Sequence, residues 1–177
     1  MKNSATYKIA CAALCLALCL LLPFLTGQIP EIGGMLSPMH LPVFLCGFVC
    51  GGPWGMAVGL IAPLLRSLLF GMPPLFPTAL AMAAELLTYG ALAGWLYRIF
   101  PKKVPYLYLS LILAMIGGRI VWGGAQFGLL GLQGTAFPFS AFLAGAVTNA
   151  LPGLALQVIL IPLIVLALQK ADLVADK

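Results

Sequence analysis

Apolar runs bounded by glycine and proline follow one another along almost the whole chain. A run of about twenty such residues is long enough to cross the ~30 Å hydrocarbon core of a bilayer as a helix. Glycine and proline between runs mark turns. The pattern predicts an all-α membrane protein of six transmembrane helices, at about 7–27, 38–50, 54–70, 78–98, 105–128 and 142–169. Ser37–Pro38 reads as an N-cap followed by proline at the first helical position of the second helix. That helix is short, and at ~1.5 Å per residue it cannot fully span the core. The stretches QIPEIGGML, GGP, GMPPLFP, FPKKVP and LGLQGTAFPFS supply the connections, and Pro152 and Pro162 are expected kinks in the last helix. There is no internal repeat, so residues 1–177 read as a single integral membrane domain.

Composition strengthens this reading. The chain is 63% hydrophobic and 7% charged, against about 25% charge in a soluble domain. It cannot present a hydrated surface all round. The net charge of +5 does not describe a nucleic-acid groove, because Lys2, Lys8, Arg98, Lys102, Lys103, Lys170 and Lys177 lie at the termini or in one connection. That placement follows the positive-inside rule. It predicts a multi-pass protein of the cell membrane with both termini cytoplasmic. The connections at 28–37, 71–77 and 129–141 contain no lysine or arginine and are expected outside. Lys2 and Lys8 ahead of an apolar run resemble a secretory signal, but no small-x-small cleavage pattern follows, so the run is retained as the first helix. Cys11, Cys15 and Cys19 recur every fourth residue and share a helix face. With Cys46 and Cys50, they read as small packing residues.

Topology gives each polar residue a depth. At 1.5 Å per residue, Arg66 lies ~6 Å below the outer end of helix three and Glu85 roughly 10 Å down helix four. Arg119 lies roughly 13 Å down helix five, with Gln126 near the rim, and Asn149 about 10 Å down helix six. Glu31 and His40 belong to the same side, whereas Gln157 is the main polar residue of the inner half. Buried ionisable groups face a bundle interior or a wet cavity and pair with one another. The clustering therefore predicts a cup open to the outside rather than a continuous pore. Arg66 and Arg119 against the single Glu85 leave surplus positive charge, which a ligand carboxylate or phosphate would complete. An internally satisfied ion-pair network uses the same residues and remains an alternative. Trp122, Tyr89 and Trp54 could stack on a ring, and His40 could serve the site or merely start a helix.

There is no HExxH, GxSxG, glycine-rich phosphate loop or intramembrane aspartate. The reading therefore contains no catalytic set, metal site, cofactor or ATPase of its own. Ala13-x-x-x-Ala17 is a small-x-x-x-small pattern that permits close approach by another helix. Gly51, Gly52, Gly55 and Gly59 give helix three a smooth face for packing within the bundle.

Six short helices, the AALCLA segment, HLPVFLCGFVCGGPWGMAVGLIAPLL and FPTALAMAAELLTYGALAGWLYR together resemble the substrate-binding S component of energy-coupling factor (ECF) vitamin transporters. The resemblance covers almost the whole chain. It implies high-affinity capture of a small water-soluble vitamin, followed by docking on a membrane coupling subunit that carries two ATPases and toppling of the S component for release. It implies that Ala13 and Ala17 meet the coupling subunit. It also implies a pocket in the outer half of helices four to six, positions held here by Glu85, Tyr89, Arg119, Trp122 and Asn149. With Arg66 and His40 these form the candidate substrate site, for which pantothenate is the first candidate ligand. Two other readings use the same residues: a stand-alone proton-coupled carrier working through Glu85, and an intramembrane enzyme built on His40 and Glu85.

Overall fold

The computed structural model describes residues 4–25 and 35–174. The expected loop residue Glu31, the last two residues of the expected first helix, and Lys2 and Lys177 lie outside the described residues. The described residues form six helices and no strand. They are α1 (Ala5–Leu25), α2 (His40–Cys50), α3 (Gly52–Phe70), α4 (Leu80–Ile99), α5 (Val104–Leu132) and α6 (Phe139–Lys170). A wide turn at Leu75–Ala79 leads into α4. All except α2 are long and apolar enough to cross a membrane.

The short helix is the axis of the bundle. Apart from Leu41, every residue of α2 is buried, as expected of a helix that is apolar all round. It packs against α1, α3, α4 and α6, while α4 packs against α2, α3 and α5. Large apolar side chains such as Leu14, Leu68, Ile116, Ile120, Ile159 and Leu163 are exposed on the outside of this arrangement. That surface suits lipid, not water.

Three details differ from the expected pattern. First, α2 starts at His40, with Met39 as its N-cap residue. Ser37 takes a left-handed conformation (φ 47°), and its carbonyl accepts the His40 N–H at 3.0 Å. Pro38 therefore lies in a turn before the helix rather than in its first turn. Second, α5 runs to Leu132, four residues beyond the expected end, and at ~1.5 Å per residue its length is about 44 Å. Arg119 consequently sits near mid-helix. Third, α6 breaks not at a proline but at Ala144–Thr148, a wide turn in which the Asn149 N–H reaches the carbonyl of Ala144. Pro152 opens the long segment Leu151–Lys170, where its missing N–H costs nothing, and only Pro162 lies inside it.

The smooth face of α3 lies directly on α4. A Cβ added to Gly90 would stand 2.2 Å from the backbone of Gly55, so the two helices meet backbone to backbone. Gly90 and Gly94 of α4 have the GxxxG spacing that favours such contact in membranes. Overpacking costs about 1–3 kcal/mol, so Gly90→Val is expected to lower the thermal midpoint in detergent by roughly 3–10 °C. Gly124→Val, where nothing stands within 4 Å, is the control and should leave the midpoint unchanged. Equal midpoints for the two variants would contradict this packing.

Candidate functional site

The polar centre forms where the start of α2, the first half of α4 and the middle of α5 meet. Glu85 is 1% exposed, and a carboxylate so buried must be paired and hydrogen-bonded. Its Oε1 accepts the Tyr89 hydroxyl at 2.7 Å and lies 3.1 Å from Arg119 Nη1. Its Oε2 stands 3.6 Å from His40 Nε2, too long for a hydrogen bond. The ion pair therefore joins α4 to α5, with a histidine of α2 at its free edge.

Local sequence explains how these groups are held. Tyr89 follows Glu85 by one helical turn, which puts both on the same face of α4. Its ring lies 5.4 Å from His40 and 4.6 Å from Phe44, centroid to centroid. His40 and Phe44 are themselves one turn apart on α2. On the other side the ring presses on Gly118, where an added Cβ would lie 2.2 Å from it. Glycine here lets α5 approach closely enough for its neighbour Arg119 to reach Glu85. Wedged between two helices, the Tyr89 hydroxyl is fixed on the carboxylate.

Several buried polar atoms have no hydrogen-bond partner among the described residues: both ring nitrogens of His40, Arg119 Nε, Gln126 Oε1 and Gln157 Nε2. Native interiors rarely leave such groups unmatched. Gln126 lies two turns beyond Arg119 on the same face of α5. Trp122, between them, is half-buried and forms an aromatic group with Phe137 (6.1 Å, edge-on) and Phe142 (6.4 Å, stacked). Asn149 is exposed at the end of the wide turn in α6, a type of distortion frequent at functional sites.

Arg66 does not join this group. The basic side chains within 4 Å of Glu85 are His40 and Arg119 alone among the described residues. Arg66 is 3% exposed and turns to α1, where Nη1 donates to the Leu20 carbonyl at 2.6 Å. Phe24 and Phe70 cover its guanidinium, with ring centroids 5.0 and 5.3 Å away. The expectation that Arg66 joins Arg119 at the polar cluster, and with it the alternative of a network in which both arginines share Glu85, is therefore corrected. A single guanidinium meets the carboxylate, and the other cation is held by a backbone carbonyl and two ring faces. The sequence reading passed over Gln126 and Gln157 as site residues. A signal was present for Gln126, since it repeats the Arg119 face at a two-turn interval.

Fold and site together define a multi-span helical membrane protein with a buried polar centre. The family model for the substrate-specific component of ECF transporters matches residues 7–165, and the chain belongs to that family. No curated protein matches it.

Breaking a buried ion pair by removing one partner costs about 3–5 kcal/mol. Glu85→Gln and Arg119→Gln are each expected to destabilise the purified protein by this order. The double variant should cost less than the sum of the two by at least ~1 kcal/mol. Denaturation of the four proteins in one detergent gives the coupling, and strict additivity would contradict a direct pair.

Proposed function

We propose that the protein captures a small water-soluble vitamin outside the cell and hands it to an ATP-driven ECF module. Family membership makes it the substrate-specific subunit. What supports capture at this place is the buried cluster of Glu85, Arg119, His40 and Tyr89, which retains unbonded donor atoms on His40 and Arg119. A ligand carboxylate against Arg119 would supply the missing acceptor with a charge-assisted bond. This favours a carboxylate-bearing vitamin, with pantothenate as the first candidate. Trp122 and its aromatic neighbours would border the apolar part of the ligand, with Asn149 at the mouth.

The proposed partners are a membrane coupling subunit and two ATPases, which supply the energy. Ala13 and Ala17 are exposed on α1, which packs on the bundle through α2 and α3. They leave a flat strip on which another helix could lie. Sidedness has support too. The Tyr7 hydroxyl donates to the Leu173 carbonyl at 2.6 Å, Gln169 Nε2 donates to the Tyr97 hydroxyl, and Lys102 stands over the Tyr97 ring. These contacts gather the start of α1, the end of α4 and the end of α6, where Lys8, Arg98, Lys102, Lys103 and Lys170 lie. By the positive-inside rule that end is cytoplasmic.

Calorimetry with pantothenate and its carboxylate-free alcohol tests the ligand class. The acid is expected to bind and the alcohol to bind at least ~tenfold more weakly. Arg119→Ala should weaken binding of the acid by a similar factor without preventing assembly. Equal affinity for both compounds, or an unchanged affinity in Arg119→Ala, would remove Arg119 and the anionic class together. Ala13→Leu and Ala17→Leu should block co-purification of the coupling subunit while preserving ligand binding, and normal assembly in both would end the docking assignment.

A further inference from the structure

Helix α1 is the least embedded of the long helices. Only Ala12, Cys19 and Pro23 of it are buried, so its apolar surface does little to fix its angle against the bundle. Side-chain bonds to backbone carbonyls do that at two levels. Near its start, Tyr7 holds the Leu173 carbonyl. Near its other end, Cys19 Sγ approaches the Met39 carbonyl at 3.5 Å, and Arg66 of α3 grips the Leu20 carbonyl at 2.6 Å. The Arg66 grip is the stronger of these last two, because its donor is ionised and lies in a place with little water.

The surroundings of Arg66 are built for this contact. Phe24 of α1 and Phe70 of α3 stack edge-on at 5.1 Å and both lie against the guanidinium. The two rings are themselves about 40% exposed, yet together they leave the arginine 3% exposed. One side chain thus bonds α1 through its backbone and through a ring one turn further along. On α3, Arg66 occupies the same face as Gly55, Gly59 and Ala62, the face that packs inward. Its direction is therefore fixed by the helix and not by a ligand.

We infer that Arg66 is a positioning residue that clamps the far end of α1 to α3, and so sets the angle at which the Ala13–Ala17 strip is presented to the coupling subunit. This rests on the docking role of that strip proposed above. The cost of a buried cation is met by a contact that orients the partner-facing helix, while ligand contact falls to Arg119.

The test uses the full-length chain co-expressed with its coupling subunit and ATPases, comparing wild type with Arg66→Met, Arg66→Lys and Phe24→Leu. Arg66→Met is expected to reduce the co-purified complex at least ~tenfold. In the solitary subunit it should also raise amide exchange in α1 residues 19–25 while leaving exchange in α4 unchanged. Arg66→Lys, which keeps a cation and a donor, should restore most of the assembly. Phe24→Leu should weaken assembly part-way, and it decides the matter if Arg66→Met fails to fold. Wild-type assembly and unchanged exchange in α1 for Arg66→Met, or for Phe24→Leu in that event, would overturn the clamp. Ala13→Leu and Ala17→Leu run in parallel. If they assemble normally the docking reading has failed, whereas if they block assembly and the clamp variants do not, only the clamp has failed.

Discussion

The structure depends on a carboxylate that has no access to water. Glu85, 1% exposed in the middle of an apolar bundle, would be untenable without donors, since an unpaired charge in such a place costs several kcal/mol. Its donors come from different directions: a tyrosine one turn along its own helix and an arginine of α5. Satisfying them requires α4 and α5 to approach closely, and the glycine at 118 makes that approach possible. Short α2 then lies in the centre with His40 and Phe44 against Tyr89. The polar centre and the helix packing thus answer to the same constraint.

The two buried arginines solve the same solvation problem in unlike ways. Arg119 meets an opposite charge and still has a donor, Nε, with no partner among the described residues. Arg66 meets a carbonyl and two aromatic faces that enclose it. In an environment where water supplies neither screening nor hydrogen bonds, each arrangement stitches two helices together. The first leaves Arg119 Nε, which has no partner among the described residues, as an atom to offer to a ligand. This division separates the two proposed roles: the α4–α5 pair is proposed to hold the binding chemistry, and the α1–α3 pair holds the helix whose exposed alanines are proposed to meet the partner.

Much of the architecture was legible because hydropathy and proline–glycine punctuation act locally. The five long helices and the short one follow from runs of apolar residues, and the strip of small residues on α3 did turn out to be a packing face. What was not legible depended on which neighbours meet. That Arg66 faces inward follows from its spacing of one turn from Ala62 and two turns from Gly59, yet nothing local says that its neighbour there is α1 rather than α4. The start of α2 was misplaced because Ser37–Pro38 has the composition of a cap, whereas the backbone turns at Ser37 through a left-handed conformation and begins the helix at His40. The wide turn in α6 was missed for a related reason. Its residues, Ala144–Thr148, carry only Gly145 as a breaker, a lone glycine of the kind that helices elsewhere in the chain absorb, and the prolines nearby are placed where a helix tolerates them. Of the polar residues expected to cluster, Glu85, Tyr89, Arg119 and His40 meet and Arg66 does not, since which groups pair depends on helix rotation.

The role of the Glu85–Arg119 centre is tested most directly by a structure of the purified protein with the small molecule that travels with it. The bound molecule is expected to place an acceptor on Arg119 Nε and a polar atom on His40, with the Glu85–Tyr89–Arg119 contacts intact and Arg66 still on the Leu20 carbonyl. A ligand seated away from these atoms, or one held by Arg66 with Glu85 turned elsewhere, would contradict that role.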